Sequence, residues 1–520
     1  MRFKRAMLTP EKVVLHTLIL FSVVLFTYWG FLTQNPFIIV AIGLIPIGLM
    51  FASRVTLVLM LTLFLANSRM RIPALPGNLQ LFHLVGIVFI IVCAATMVIR
   101  RQLFHLNRGI LWILVAFTAV LGITILARGI GFAFLGDTKI GGARYISILV
   151  ALGVLVFSAN INFEEKTWYR ILLLFFVSMF LPALLEFFTL VTGGAIMWPY
   201  LFFDVDGGTV QNFRIGMEGG EMRYQLMAKA GTALILMGFL VFRPKLKTLP
   251  ILLILVLIGF AINGLSGHRL AFVRNVMFVW LTLGFFFRKH WLPFLATTTA
   301  AGILGLLLAI LLLPYMPYTF QRMLSWLPFA NVDIDVAIDA GGTLDWRLGV
   351  WKEALRQIPE FFWVGRGYAF HESALSWMSY LGQGEYTAMW AVHQVAYHNG
   401  PLSLLIGMGI FGFLAGFAFM FYSGIRHVMF MFKDWESAFL QKLHAILTIH
   451  FLVIMLSFCL FYGDTFVSFP EFFLVVLLLE GLKRCDVRQQ IAMAEPVEEA
   501  ERVGPRFRPN DAEKMVASSG

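Results

Sequence analysis

The sequence predicts an all-α, polytopic membrane protein of about fourteen (12–14) transmembrane helices, with a long outer loop that carries an amphipathic helix. Composition is the first reason. Of 520 residues 59% are hydrophobic and 13% charged, against roughly a quarter charged in soluble domains. The second reason is the recurrence of apolar runs near the roughly 20 residues that one bilayer crossing needs. The third is that basic residues flank alternate runs, as the positive-inside rule requires.

In order, the crossings are read at 13–33, 36–53, 55–67, 79–99, 109–127, 144–160, 168–192, 224–242, 247–265, 268–287, 291–314, 400–422, 440–462 and 466–482. The run at 55–67 is short enough to be tilted or re-entrant. The first run follows Met1–Arg5 with no small-residue cleavage site, which reads as a retained helix. With the N-terminus inside, the even-numbered gaps collect Arg54, then Arg100, Arg101 and Arg108, Lys166, Arg243, Lys245, Lys247, Arg288, Lys289, Arg426, Lys433 and Lys442. Residues 1–482 then form one membrane domain of the bacterial inner membrane, with both termini cytoplasmic. Residues 483–520 are mixed in charge, and from about 486 are expected to be a disordered tail. The net charge of +11 is accounted for by these loops, so no nucleic-acid partner is expected. Cys93, Cys459 and Cys485 are scattered, with no metal-ligand spacing.

Two long outer segments remain, 193–223 and about 315–398. Basic residues on that side need a separate reason: Arg69, Arg71, Arg128, Lys139, Arg144, Arg214, Arg223, Arg269, Arg274, Arg322, Arg347, Lys352, Arg356 and Arg366. In SGHRLAFVRN, Arg274 lies about 7.5 Å deeper than Arg269 at a helical rise of about 1.5 Å per residue. An arginine at that depth marks a function-bearing cavity by default. Arginine also clamps phosphate oxygens in a bidentate fork, so the cluster suggests an anionic headgroup such as the phosphates of a lipid carrier. For Arg69, Arg71 and Arg322 the preferred reading is snorkelling to ordinary phospholipid headgroups.

His398 ends the long loop, and Asn399-Gly400-Pro401 opens a helix, where Asn or Gly can cap and Pro suits the first turn. An imidazole at the membrane surface suits the general base for a sugar hydroxyl; a histidine that merely caps or hydrogen-bonds at the interface is the competing reading. His393 and His371 are weaker candidates. Residues 344–358 have Trp351, Leu355 and Ile358 at helical spacing, with Asp345 as a cap and Arg347 near the start. They are expected to lie on the outer surface as an amphipathic helix. A flexible turn, Val364-Gly-Arg-Gly-Tyr368, follows. Trp326, Trp346, Trp351, Trp363, Trp377 and Trp390 are read mainly as an interfacial belt. Asp345 and Glu372 are isolated carboxylates, read as structural.

Four pieces in this order, SGHRLAF at 266–272, DWRLGVWKEAL at 345–355, VGRGYAF at 364–370 and HNGPLSLLIGMGIFGFLAGF at 398–417, resemble the O-antigen ligase and polymerase superfamily of bacterial envelope polysaccharide assembly. They look like its S-R-G segment, R-x-x-x-W loop helix, G-x-G turn and H-N-x-x-L helix start. This chain departs from it in reading S-G-H-R, with His268 inserted. The resemblance implies a metal-independent GT-C-type glycosyltransferase without cofactors, its active site facing the periplasm. Its donor would be a glycan on undecaprenyl pyrophosphate and its acceptor a hydroxyl of a glycan, lipid or protein. By that resemblance His398 deprotonates the acceptor and Arg269 and Arg347 hold the diphosphate, with Arg274, Arg223 and Arg144 as further partners for it. Polymerase, ligase and protein O-oligosaccharyltransferase remain open within the class. A polysaccharide-lipid flippase or other transporter is the rival from outside it; such proteins show paired repeats and helices broken near mid-membrane.

Overall fold

The structure, a computed structural model, describes residues 55–68, 70–71, 79–101, 106–132, 139–192, 203, 226–245, 247–327, 329–371, 389 and 391–502. The expected crossings at 13–33 and 36–53, almost all of the 193–223 loop and the residues beyond 502 lie outside it.

The described chain is all-α apart from one two-residue strand pair. Its helices are α1 (Val55–Ser68), α2 (Leu81–Arg100), α3 (Arg108–Arg128), α4 (Gly142–Ser158), α5 (Glu165–Val177), α6 (Phe180–Val191), α7 (Met227–Val241), α8 (Leu249–Ser266), α9 (Arg269–Phe286), α10 (Trp291–Leu312), α11 (Tyr318–Leu324), α12 (Ile334–Phe361), α13 (Gly400–Met431), α14 (Ala438–Leu460) and α15 (Thr465–Arg502). Strands β1 (Lys139–Ile140) and β2 (Phe370–His371) pair antiparallel. Among the described residues, nine helices are long and apolar enough to cross a membrane, and α1, α4 and α7 are shorter apolar helices.

Helix α10 shows why the surrounding solvent must be hydrocarbon. It is apolar all round yet has no buried residue, and Ile303, Leu304, Leu307 and Leu311 stand exposed. In water such a surface would be untenable. The centre of the bundle is α14 and α15, where Phe451, Phe458, Phe469 and Phe472 interlock.

Three elements differ from expectation. The run at 168–192 is met by one candidate span, Glu165–Phe188, but a turn at Ser178–Met179 divides it into α5 and α6, because Pro182 has no amide to offer the carbonyl four residues earlier. The loop helix is twice the length expected: α12 runs from Ile334, with Asp333 at its N-cap, so Asp345 lies inside the helix rather than capping it. Gly341 and Gly342 cost that helix about 1 kcal/mol each but do not break it. One stripe of α12 (Val336, Ala340, Val350, Ala354, Phe361) is buried, while Leu344, Leu348 and Leu355 form an exposed apolar stripe. Finally, α15 continues through the segment expected to be disordered as far as Arg502. Its Ala, Glu, Gln and Arg are good helix formers, and the Asp486 carboxylate anchors it by accepting the amides of Glu436 (3.1 Å) and Ser437 (3.5 Å).

Because successive helices run antiparallel through short turns, polar residues sort to two ends. Arg243, Lys245, Arg288, Lys289, Lys433 and Lys483 mark one end. Arg128, Arg144, Arg269, Arg322, Arg347, Arg366 and His398 gather at the other.

Candidate functional site

At the second end, residues 391–399 form a tight loop before α13. Val395 and His398 both have left-handed backbones, at φ 56° and 51°. Side chains avoid that conformation, a β-branched residue most of all, so the surroundings must hold it. Arg144 donates to the Gln394 carbonyl and, at 2.6 Å, to Gln394 Oε1. Arg366 donates to the Val392 carbonyl at 2.8 Å and meets His393 Nδ1 at 3.0 Å. Trp351 Nε1 donates to the Tyr397 carbonyl at 2.8 Å. Ser403 Oγ donates to the Val395 carbonyl at 3.1 Å and accepts the Thr465 amide at 3.1 Å. Asn399 caps α13 by accepting the Leu402 amide at 3.1 Å, with Pro401 in the first turn, as its sequence indicated.

The turn after α12 is built against α13. Gly409 breaks that helix (φ 72°, ψ −177°), freeing carbonyls one turn above. The Arg366 amide donates to Ile406 O (2.7 Å), the Gly367 amide to Gly407 O (3.0 Å), and the Ile410 amide to Phe362 O (2.7 Å). A Cβ at Gly365 would lie 2.3 Å from Gly407 O, which is why the G-x-G turn carries glycine there.

His398 is a half-buried ring with a carboxylate behind it. Asp464 accepts the His398 amide at 3.0 Å and faces Nδ1 at 3.1 Å. A carboxylate only accepts, so Nδ1 carries the hydrogen and Nε2 is the nitrogen left for another partner. Asp464 is buried at the start of α15, where the helix dipole favours a negative charge. The imidazole stacks on Tyr462 (centroids 4.7 Å apart, planes 13°) and meets Trp346 at 5.4 Å.

Arg347 lies over the same Tyr462 ring, 5.6 Å from its centroid. Its Nε is buried and hydrogen-bonds to nothing among the described residues. Burial pulls its pKa below the usual value, with nearby Arg322 adding to this and Tyr462 and Asp464 opposing it. Arg274, one turn into α9, has Glu471 and Tyr462 as electrostatic neighbours, and its Nε is likewise buried without a hydrogen-bond partner. Tyr462 thus touches His398 and Arg347.

The remaining arginines make contacts within the protein. Arg269 Nε donates to the Arg322 carbonyl at 3.1 Å. Arg322 does not snorkel: it is buried, paired with Asp339, and donates to Gly267 O (3.2 Å) and Thr343 Oγ1 (3.0 Å). With Asp339, Gly267 O and Thr343 Oγ1 all in reach, this side chain has no reason to seek headgroups. Arg144, expected at a diphosphate, holds the Gln394 loop and stacks over Phe466 at 4.2 Å. Arg223, Arg69, Arg214 and Glu372 lie outside the described residues.

Sequence reasoning missed Tyr462 and Asp464. Their signal was a Tyr-Gly-Asp-Thr string in the short α14–α15 connection, at the end where the other polar residues gather. Among the described residues no group of three or more His, Cys, Asp or Glu side chains stands ready to hold a metal ion. No family model matches this chain, and no curated protein matches it.

Proposed function

We propose that this chain is a membrane glycosyltransferase that moves a glycan from a polyprenyl diphosphate carrier to an acceptor hydroxyl, in the assembly of O-antigen, capsule or exopolysaccharide. The observation that carries the reading is Tyr462, with a carboxylate-backed imidazole on its ring and Arg347 over it. In this reading His398 Nε2 takes the proton of the acceptor hydroxyl as its oxygen attacks the anomeric carbon. The bond from that carbon to the diphosphate oxygen breaks, and the polyprenyl diphosphate leaves with the electron pair. Arg347 and Arg274 neutralise the charge that grows on it. Trp346 offers an aromatic face to a sugar ring. The positive-inside pattern supports a periplasmic position for this end, in an inner membrane.

A transporter of lipid-linked glycan is the second reading, favoured by the breaks at Ser178–Met179 and Gly409. Against it, the carbonyls freed at Gly409 are answered by protein amides rather than turned toward a passage. The deciding experiment uses proteoliposomes containing a labelled glycan on its lipid diphosphate and an acceptor. The transferase reading expects a new glycosidic product that is lost in His398→Ala. Translocation of intact lipid-linked glycan with no new bond sinks it.

A further inference from the structure

At the end of the bundle opposite His398 three helices meet: α9 packs against α14, and α7 touches both. Their ends frame a recess of about 150 Å³ whose polar lining is Arg243, Arg288, Lys289, Gln441 and Lys442. No carboxylate lines it, and among the described residues none of its four cations lies within ion-pair distance of one. Orientation in a membrane needs basic residues near the helix ends; it does not need them to converge on one recess. Lys442 is the member that topology explains least. It is 5% exposed, and its Nζ donates to the Leu240 carbonyl in the last turn of α7 at 2.8 Å. An ammonium carries three hydrogens, so one neutral acceptor leaves most of its demand unmet, and Arg243 is an electrostatic neighbour of the same sign. Burying such a charge is costly unless an anion compensates it. Arg288 lies over the Phe285 ring, 4.6 Å from its centroid, and Phe285 meets Phe432 at 6.1 Å. A guanidinium over a ring keeps its in-plane N–H edge for a forked pair of oxygens.

We propose that this recess binds a phosphate group of net negative charge, carried either by the headgroup of an anionic phospholipid or by a soluble phosphate compound. The charge set selects against ordinary zwitterionic lipid. A choline or ethanolamine head brings its own cation beside the phosphate, into four positive side chains that no carboxylate offsets. Phe285 and Phe286 line the same recess and give it an apolar wall, where a lipid's first methylenes can rest while its phosphate meets the cations. The recess lies where membrane-crossing helices end, so a headgroup and a dissolved anion can both reach it. It is distinct from the candidate site, because α9 alone, 18 residues long, separates the two ends by about 27 Å. The inference therefore stands whether or not the chain transfers a glycan.

The test uses the full-length protein in nanodiscs of phosphatidylcholine and reads its melting temperature. Cardiolipin, which has two phosphates and no cation, is added to the bilayer in one arm, and inorganic pyrophosphate to the buffer in another. A ligand that binds only the folded state raises that temperature. The expected result is a rise with one probe or both, and none with added phosphatidylethanolamine. Arg288 and Lys289 are exposed, so Arg288→Gln/Lys289→Gln should fold normally while the probe concentration giving half the rise increases about tenfold or more. Arg243→Gln should act in the same direction. Lys245→Gln/Lys247→Gln removes as much charge at the same end but outside the recess, and should change nothing. A rise with cardiolipin alone assigns a lipid headgroup, and one with pyrophosphate alone a soluble phosphate; either supports the site. No rise with either probe overturns the proposal. So does a rise shared by phosphatidylethanolamine, or one that both double variants weaken equally, since general surface charge then accounts for it.

Discussion

Asp464 holds His398 through two atoms at once, its Oδ1 on the backbone amide and its Oδ2 on Nδ1. The first contact fixes the loop and the second the tautomer, so the carboxylate sets both where the imidazole sits and which nitrogen faces outward. Asp464→Asn separates these roles. Its amide keeps the volume but donates toward Nδ1, which moves the ring hydrogen to Nε2. Transfer in proteoliposomes should fall about 10²–10⁴-fold, the range for a lost general base, with donor KM little changed. An unaltered kcat would remove His398 from the chemistry.

Tyr462 makes a different demand, because what matters is its ring. Tyr462→Phe should keep the stack with His398 and the face beneath Arg347, and retain most activity. Tyr462→Ala should lower kcat and raise donor KM together. Equal losses in the two variants would shift the role to the hydroxyl.

Arg347→Lys keeps the charge but loses the planar two-pronged donor. Donor affinity is expected to weaken about tenfold, or roughly 1.4 kcal/mol, measured by titration with a lipid diphosphate lacking its glycan. Arg144→Ala should behave differently: kcat falls as the loop loosens, the protein melts at a lower temperature, and lipid-diphosphate affinity stays put.

His393 supplies a pH dependence. Burial and the adjoining Arg366 lower its pKa from the ordinary value of 6.5. The unfolded chain therefore binds this proton more readily than the folded one, so folded-state stability is intact above about pH 6.5 and is lost as pH falls below it. His393→Gln should flatten the acid limb of a melting-temperature-versus-pH curve while leaving its neutral value similar.

How much of this was legible differs from element to element. Hydropathy located α2, α3, α8, α9, α10, α13 and α14 to within a few residues of their ends, save the C-terminus of α13, which runs on to Met431, because an apolar run long enough to cross has few alternatives. The Asn399 cap was readable because Asn, Gly and Pro each have a local reason to sit there. The extent of α12 was not, since Gly341-Gly342 carries a stop signal that tertiary packing of Val336 and Ala340 overrides. The tasks of Arg144, Arg322 and Arg366 were hidden for another reason. Each has a backbone carbonyl among its acceptors, of Gln394, Gly267 and Val392 respectively, and carbonyls leave no trace in side-chain spelling. Asp464 escaped because it is 66 residues from His398 and no local rule links the two.

The break at Gly409 has a consequence for how this region comes apart. The upper part of α13 shares three backbone bonds with residues 362–367, and that turn is pinned in its own right by Arg128 and, through Arg366, to the loop at 391–399. A fray starting in any of these segments strands polar groups of another in hydrocarbon. Opening is therefore concerted: the amides of Arg366, Gly367 and Ile410 belong to one foldon and exchange their hydrogens at a common rate, although 44 positions separate the first from the last.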